Sequence, residues 1–223
     1  MITVVMPYWE RYEAARRTLL SYDEFYNDDV KVIIVDDGSP SQPAKELEQE
    51  FDRLTVVEMP VKTEVKNPCT PMNVGARLVD TDFIGLSNPE TFHVGPSLYE
   101  MVSLLKEEND YILAPAFCPE TEEWHCHPDL HPMLIPKGTG FHHMALMKKE
   151  LWDKVDSMDD DYRDGYCFDD ADFIMRLVDA EAKFMYSEMP VFHSRAGAKA
   201  RMNRDSWLKN RTIYCQKWQL ENE

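Results

Sequence analysis

The stretch Val32-Ile33-Ile34-Val35-Asp36-Asp37-Gly38-Ser39 decides how the chain is read. Four consecutive β-branched residues suit a strand covered on both faces, because a half-solvated strand would alternate apolar with polar positions. The run stops at two carboxylates and a glycine, the chemistry of a tight turn. Working outward, further apolar runs go from Ile2 to Met6, from Thr55 to Val57 and from Phe83 to Leu86, and the central one starts at Val30. Between them lie segments of helical length, Arg11 to Phe25, Gln42 to Phe51 and Pro71 to Val79. The order βαβαβαβ predicts an α/β fold, a mostly parallel central sheet flanked by helices with right-handed crossovers.

Ligands of such sheets bind beyond the carboxyl ends of the strands. Those ends read Pro7-Tyr8-Trp9-Glu10-Arg11, Asp36-Asp37-Gly38-Ser39 and Ser87-Asn88-Pro89-Glu90, and all three are expected along one edge. The second half is less regular. A helix is expected from Ser97 to Glu108, strands from Tyr111 to Ala114 and Met144 to Met147, a helix from Lys148 to Val155, and short strands near Lys183 to Tyr186 and Val191 to His193. The Pro- and His-rich segment from Cys118 to Gly140 is expected to be a long binding loop.

Composition narrows the function. The 223 residues suit one domain, and 24 Lys plus Arg against 41 Asp plus Glu leave a formal charge of -17, which repels nucleic acid and anionic membranes. No run reaches the roughly 20 apolar residues that span a bilayer, and the start lacks a basic region and cleavage site, so a cytoplasmic protein without stable membrane insertion is expected. Cys69, Cys118, Cys126, Cys167 and Cys215 are irregularly spaced and expected to be free thiols.

A second stretch, from Gly165 to Leu177, reads GYCFDDADFIMRL and crowds Asp169, Asp170 and Asp172 at the mouth of an amphipathic helix. Helix chemistry explains part of it. Asp169 and Asp170 complement the helix dipole and can cap it, and Asp172 can pair with Arg176 at i,i+4. Capping needs one carboxylate, and the second adjacent one exceeds what stability requires.

Together, VVMPYWER, VIIVDDGS, TPMNVGARLVDTDFIGLSNPE and GYCFDDADFIMRL followed by VFH resemble family 2 glycosyltransferases of the GT-A fold, in order and approximate spacing over nearly the whole chain. The resemblance implies a single domain with a nucleotide-binding half, residues 1–95, and an acceptor-binding half, residues 96–223. It implies an inverting, metal-dependent transfer from a nucleotide diphosphate sugar, with UDP- or GDP-sugars favoured, to a hydroxyl acceptor such as a glycan. Pro7, Tyr8 and Arg11 match the first nucleotide-contacting loop, Asp36 and Asp37 the pair that reads base and ribose, and Asn73 with Gly75 an Asn-x-Gly element that also contacts the donor. Many relatives place an arginine where this chain has Met72, so Lys62, Lys66 and Arg77 are the candidates for that cation.

The metal motif departs further. Where the family has Asp-x-Asp, this chain has Asn88-Pro89-Glu90, which also reads as an ordinary turn. The resemblance makes Glu90 and His193 the ligands of Mn²⁺ or Mg²⁺ and Asn88 a donor contact. Hard cations take oxygen ligands and complete their shells with substrate phosphates, so one carboxylate, one histidine and a diphosphate are chemically adequate. Arg195, Lys199, Arg201 and Arg204 could neutralise the leaving diphosphate. In the family's acidic motif Asp170 takes the place of the base that deprotonates the acceptor, Asp169 stands beside it, and Asp172 follows near the acceptor.

Within CPETEEWHCHPDLHPM, Trp124 is suited to stack on a sugar, and His127 and His131 to bind its hydroxyls. A zinc site among Cys118, His125, Cys126, His127 and His131 fits no common finger spacing; the role of His142 and His143 is open. Two rival functions remain. A nucleotidyltransferase would need a Gly-rich basic triphosphate loop that the chain lacks after its first strand. A non-catalytic nucleotide- or sugar-binding module would have no use for a base at Asp170.

Overall fold

The computed structural model describes residues 1–62, 67–128, 143–194 and 204–220. The N-terminal half follows the expected alternation. Strand β1 (Ile2–Tyr8) leads to helix α1 (Tyr12–Phe25), β2 (Val30–Asp36), a 3-10 helix over Ala44–Gln49, β3 (Leu54–Glu58), helix α2 (Cys69–Ala76) and β4 (Phe83–Ser87). Then follow β5 (Thr91–His93), α3 (Ser97–Leu104), β6 (Asp110–Leu113), β7 (Ala116–Cys118), β8 (Glu123–Cys126), β9 (Met144–Lys148) and α4 (Lys149–Lys154). A short 3-10 turn, α5 (Asp169–Asp179), β10 (Lys183–Tyr186), β11 (Val191–His193) and α6 (Arg204–Lys217) complete the described elements.

Seven strands form the main sheet in the order β10-β6-β9-β4-β1-β2-β3. Pairing is parallel at β1/β2, β1/β4, β2/β3 and β6/β10, and β9 enters antiparallel to both β4 and β6. The apolar runs are buried on both faces, as their lack of alternation requires, and Val4, Val32, Ile34, Ile84 and Leu146 have no exposure. On the α4–α5 side Trp152 packs against Phe173 with ring centroids 5.2 Å apart. Each such buried aromatic contributes on the order of 2–3 kcal/mol of apolar transfer.

Three expectations are corrected. The segment from Gln42 to Phe51 forms a six-residue 3-10 helix rather than a longer α-helix. Its neighbour Glu48 turns back to accept from the Val56 amide, and Lys45 pairs with Glu48 itself, so local side-chain bonds hold a tight, short element. The helix expected to run to Glu108 ends at Leu104, because the Asp110 carboxylate takes the Lys106 and Glu107 amides at 2.7 Å each and turns the chain. The third correction matters for function. The segment expected as a loop from Cys118 contributes β8, which with β5, β7 and β11 makes a second sheet in the order β5-β11-β7-β8. Of its four short strands only β11 was expected; β5, β7 and β8 have three or four residues each, too few for an alternating pattern to show.

The two sheets meet at the carboxyl end of β4. Thr18 of α1 donates to the Pro89 carbonyl at 2.7 Å and so fixes the turn between β4 and β5. The edge where β1, β2 and β4 end therefore faces the second sheet.

Candidate active site and metal centre

The loops after β1 and β2 are tied to each other. Gly38 has φ +85, and a Cβ there would lie 2.1 Å from the Pro60 carbonyl oxygen, so only glycine fits this turn. Glu10 accepts from the Ser41 and Gln42 amides at 2.7 and 2.9 Å. Asp36 is buried, and its two oxygens accept from the Ser39 and Ala44 amides at 2.9 and 2.8 Å. The two members of the expected pair therefore differ: both Asp36 oxygens are engaged by turn amides, while Asp37 forms an ion pair with Lys62. Tyr8 is engaged as well. Its ring is buried, its hydroxyl donates to the Gln42 carbonyl at 2.5 Å, and burial raises its pKa. Pro7 lies half-buried within β1, and Arg11 opens α1 at the same edge.

The Asn-x-Gly element also serves packing. Asn73 donates to the Met158 carbonyl at 2.8 Å and accepts from the Met158 amide at 2.9 Å, so it clips α2 to the loop before the second 3-10 turn. A Cβ on Gly75 would sit 2.4 Å from Val5 Cγ1, the close approach of α2 to β1. Met72 is buried in the core. Of the cations considered in its stead, Lys62 stands at the site through Asp37, Arg77 is exposed beyond α2, and Lys66 lies outside the described residues.

Beyond β4, Glu90 gathers charge. Its Oε1 lies 3.6 Å from Arg11 and 3.7 Å from His193 Nε2, while its Oε2 is buried without a hydrogen-bond partner. The register explains the approach of His193: β11 pairs antiparallel to β5 with His193 opposite Thr91, and the Ser194 amide donates to the Glu90 carbonyl at 3.0 Å. Two histidines that the sequence reading left unassigned join it. Pairing between β7 and β8 steps from Ala116 opposite Cys126 to Phe117 opposite Trp124, so His125 is the extra residue of a β-bulge. Its Nδ1 lies 2.8 Å from His193 Nδ1. His143 precedes β9, whose Met144 faces Ser87, and its ring centroid is 4.2 Å from that of His193. Asn88 Nδ2 approaches His143 Nδ1 at 3.5 Å. One ligand atom from each of the three imidazoles lies within 4.8 Å of the others. Three convergent imidazoles, one of them with a carboxylate 3.7 Å away, fit a divalent ion.

His93 shows the ordinary alternative for a histidine. It is buried among Tyr22 and Tyr26, its Nδ1 meets the Tyr26 hydroxyl at 2.6 Å, and burial depresses its pKa to about 3, so it stays neutral.

The acidic segment sits on a strained lead. Cys167 and Phe168 both have positive φ, at 61 and 70, a sparsely populated conformation that is retained only where the surroundings impose it. The Cys167 carbonyl accepts from Asn67 at 3.1 Å and from Asn210 of α6 at 2.8 Å, and Phe168 packs against Trp207 and Tyr214. The N-cap residue of α5 is Phe168, which makes no side-chain cap bond, and three carboxylates occupy the first turn. Asp169 is buried and accepts from Asn67 Nδ2 at 2.8 Å. Asp172 is fully buried and engaged by Arg176 at 2.8 Å, Lys217 at 2.8 Å, Trp218 Nε1 at 2.9 Å and the Tyr162 hydroxyl at 3.3 Å. Asp172 thus makes the expected i,i+4 pair with Arg176 and stands as an internal anchor. Asp170, between them, makes no side-chain hydrogen bond among the described residues, and burial pushes its carboxyl up to about 6. Tyr166 is a further site residue that sequence reasoning missed: burial raises its hydroxyl, and it feels Arg11, Asp169 and Glu90 together.

On the acceptor side, Trp124 is 41% exposed, with its ring against Phe117 and His127 at 5.1 and 4.7 Å. His131, His142, Arg195, Lys199 and Arg201 lie outside the described residues. All five cysteines are free, and among the described residues His125 is the zinc candidate that joins the histidine group.

Comparison with known proteins converges on one family. The chain superposes on TarS 1-349 from S. aureus in complex with UDP-GlcNAc with a TM-score of 0.76 at 12% identity, covering 100% of this chain and 67% of that one. It superposes on the mannosyltransferase PcManGT from Pyrobaculum calidifontis, in complex with GDP-Man and Mn²⁺, with a TM-score of 0.68 at 14% identity, covering 96% of this chain and 64% of that one. At such identities the likeness shows a shared fold, and this chain spans under two thirds of the mannosyltransferase. No curated protein sequence matches the chain. The sequence model described as glycosyl transferase family 2 matches residues 3–159, which carry β1 to β9 and the Glu90 turn, and the chain therefore belongs to that family.

Proposed function

We propose that the chain is an inverting glycosyltransferase that moves a sugar from a UDP- or GDP-sugar to a hydroxyl of a glycan acceptor, with Asp170 as the base. The observation that carries this reading is the contrast within α5: Asp169 and Asp172 are engaged by partners, whereas Asp170 is not and its carboxyl is raised to about 6. A base with a pKa just below the working pH is ionised yet still takes a proton well. The acceptor O–H proton passes to Asp170 as the acceptor oxygen bonds to the anomeric carbon, and the bond from that carbon to the diphosphate breaks.

Residues 1–95 hold the donor in this reading. Asp37 and Lys62 stand at the nucleoside end, and Pro7 and Asn88 line the edge beside it. Arg11, 3.6 Å from Glu90, supplies positive charge toward the diphosphate. Residues 96–223 hold the acceptor, with Trp124 as the stacking surface and His127 and His131 as hydroxyl contacts. Glu90 and His193 hold the divalent ion, Mn²⁺ or Mg²⁺, which when bound offsets charge on the departing diphosphate.

The likeness to proteins that bind UDP-GlcNAc and GDP-Man selects the probes. Calorimetric titration with UDP and with GDP, each with and without Mn²⁺, is expected to show metal-dependent binding of one of them, and the matching sugar nucleotide should be turned over. Binding of neither diphosphate would overturn the reading.

A further inference from the structure

We infer that the metal centre is a histidine site: His125 and His143 join His193 as imidazole ligands beside Glu90, and the site takes a first-row transition ion in preference to Mg²⁺. The inference rests on the proposed function only in assigning the ion to the diphosphate edge; the donor set itself is read from this chain's residues.

Geometry carries it. Nδ1 of His125 and Nδ1 of His193 face each other at 2.8 Å. Two nitrogens bound at about 2.0–2.1 Å to one ion, at right angles, stand about 3 Å apart. His143 adds a third nitrogen within the 4.8 Å envelope, which accommodates ligands on opposite sides of the same ion. Glu90 is the neighbouring carboxylate: its Oε1 lies 3.7 Å from His193 Nε2, and its Oε2 is buried with no hydrogen-bond partner among the described residues. Arg11 is the neighbouring cation, and it reaches Oε1 only at 3.6 Å.

The local backbone is arranged for convergence. The bulge in β8 frees His125 from the ladder and turns it toward β11, the role bulges serve beside functional sites. The rings of His125, His143 and His193 lie with centroids 4.2 to 5.5 Å apart. A divalent ion is a partner toward which all three rings can donate a lone pair as neutral bases. Imidazole suits Zn²⁺, Fe²⁺, Co²⁺ and Ni²⁺, while Mg²⁺ demands oxygen and keeps its waters. The Asn88-Pro89-Glu90 sequence, with one carboxylate, is then matched to a softer ion by the imidazoles.

The test uses the whole protein without nucleotide. Titration with Co²⁺ is expected to give a visible absorption band saturating at one ion per chain, displaced by equimolar Zn²⁺ and not by a hundredfold excess of Mg²⁺. X-ray absorption of the zinc-loaded protein is expected to show imidazole scattering from three rings. His125→Gln and His143→Gln, checked for unchanged melting curves, should each weaken Co²⁺ affinity at least tenfold. No band, displacement by Mg²⁺ at similar concentration, scattering from a single ring, or unchanged affinity in both variants would overturn the inference and leave a hydrogen-bonded imidazole cluster. Because no nucleotide is present, these results stand apart from the UDP and GDP titrations: diphosphate binding without the histidine site, or the reverse, separates the two claims.

Discussion

Asn67 Nδ2 donates to Asp169 Oδ1 at 2.8 Å and to the Cys167 carbonyl at 3.1 Å, so one amide just before α2 holds both the strained turn and the first carboxylate of α5. With Asp169 anchored there and Asp172 anchored four-fold below, the orientation of Asp170 is set by its neighbours rather than by bonds of its own.

Removing that amide should be felt in two ways. Asn67→Ala leaves a buried carboxylate oxygen and a carbonyl short of a donor, at a cost of about 1–3 kcal/mol in denaturant unfolding. As a positioning residue, Asn67 should lower kcat with little change in donor affinity, which steady-state kinetics and calorimetry on the folded variant would separate.

Asp172 is predicted to be a stability residue. Asp172→Ala deprives the largely buried Arg176, the Tyr162 hydroxyl and Trp218 Nε1 of the buried anion they share, a change expected to cost about 3–5 kcal/mol. Acceptor KM of the remaining folded protein should be unchanged; a raised KM at unaltered stability would restore the acceptor role that the family resemblance suggested.

The raised Asp170 carboxyl makes two pH predictions. Turnover should fall below about pH 6, approaching tenfold per unit, because the base must be ionised. For stability the sign is opposite to that of an ion-paired carboxylate. The folded pKa of about 6 exceeds the unfolded value, so the folded state favours the proton, and stability is lost as pH rises from about 4 through 6. Asp170→Asn should therefore be more stable than the parent at pH 8, by up to about 3 kcal/mol, and equal to it near pH 4. Melting curves across that range would check it.

Gly75→Ala should destabilise the fold through packing alone. The added methyl would meet Val5 Cγ1 at 2.4 Å, and overpacking of this kind costs about 1–3 kcal/mol. Nucleotide affinity of the folded variant should be unchanged.

The sheet was legible because its central strands are buried on both faces and so form unbroken apolar runs, as in Val32 to Val35. Asp170 and His193 were singled out through the order of motifs around them, and their roles are for the variants to test. What pattern reading missed depended on contacts between distant segments. Tyr8, Asp36 and Asn73 fit a donor-binding pattern, yet each is taken up by a backbone partner that only the folded loop reveals. His125 and His143 lie 18 residues apart and far from His193, and the bulge that brings His125 inward has no sequence signature beyond a short, poorly alternating strand. The Asn88-Pro89-Glu90 departure, with its single carboxylate, was the available hint to look for further ligands nearby.

The central claim is that Asp170 takes the acceptor proton. The most direct measurement compares Asp170→Asn with the parent in sugar transfer and in donor-diphosphate calorimetry, on the same preparations. The account predicts transfer reduced at least a thousandfold with donor affinity within threefold of the parent. Turnover retained in a folded Asp170→Asn protein would contradict it.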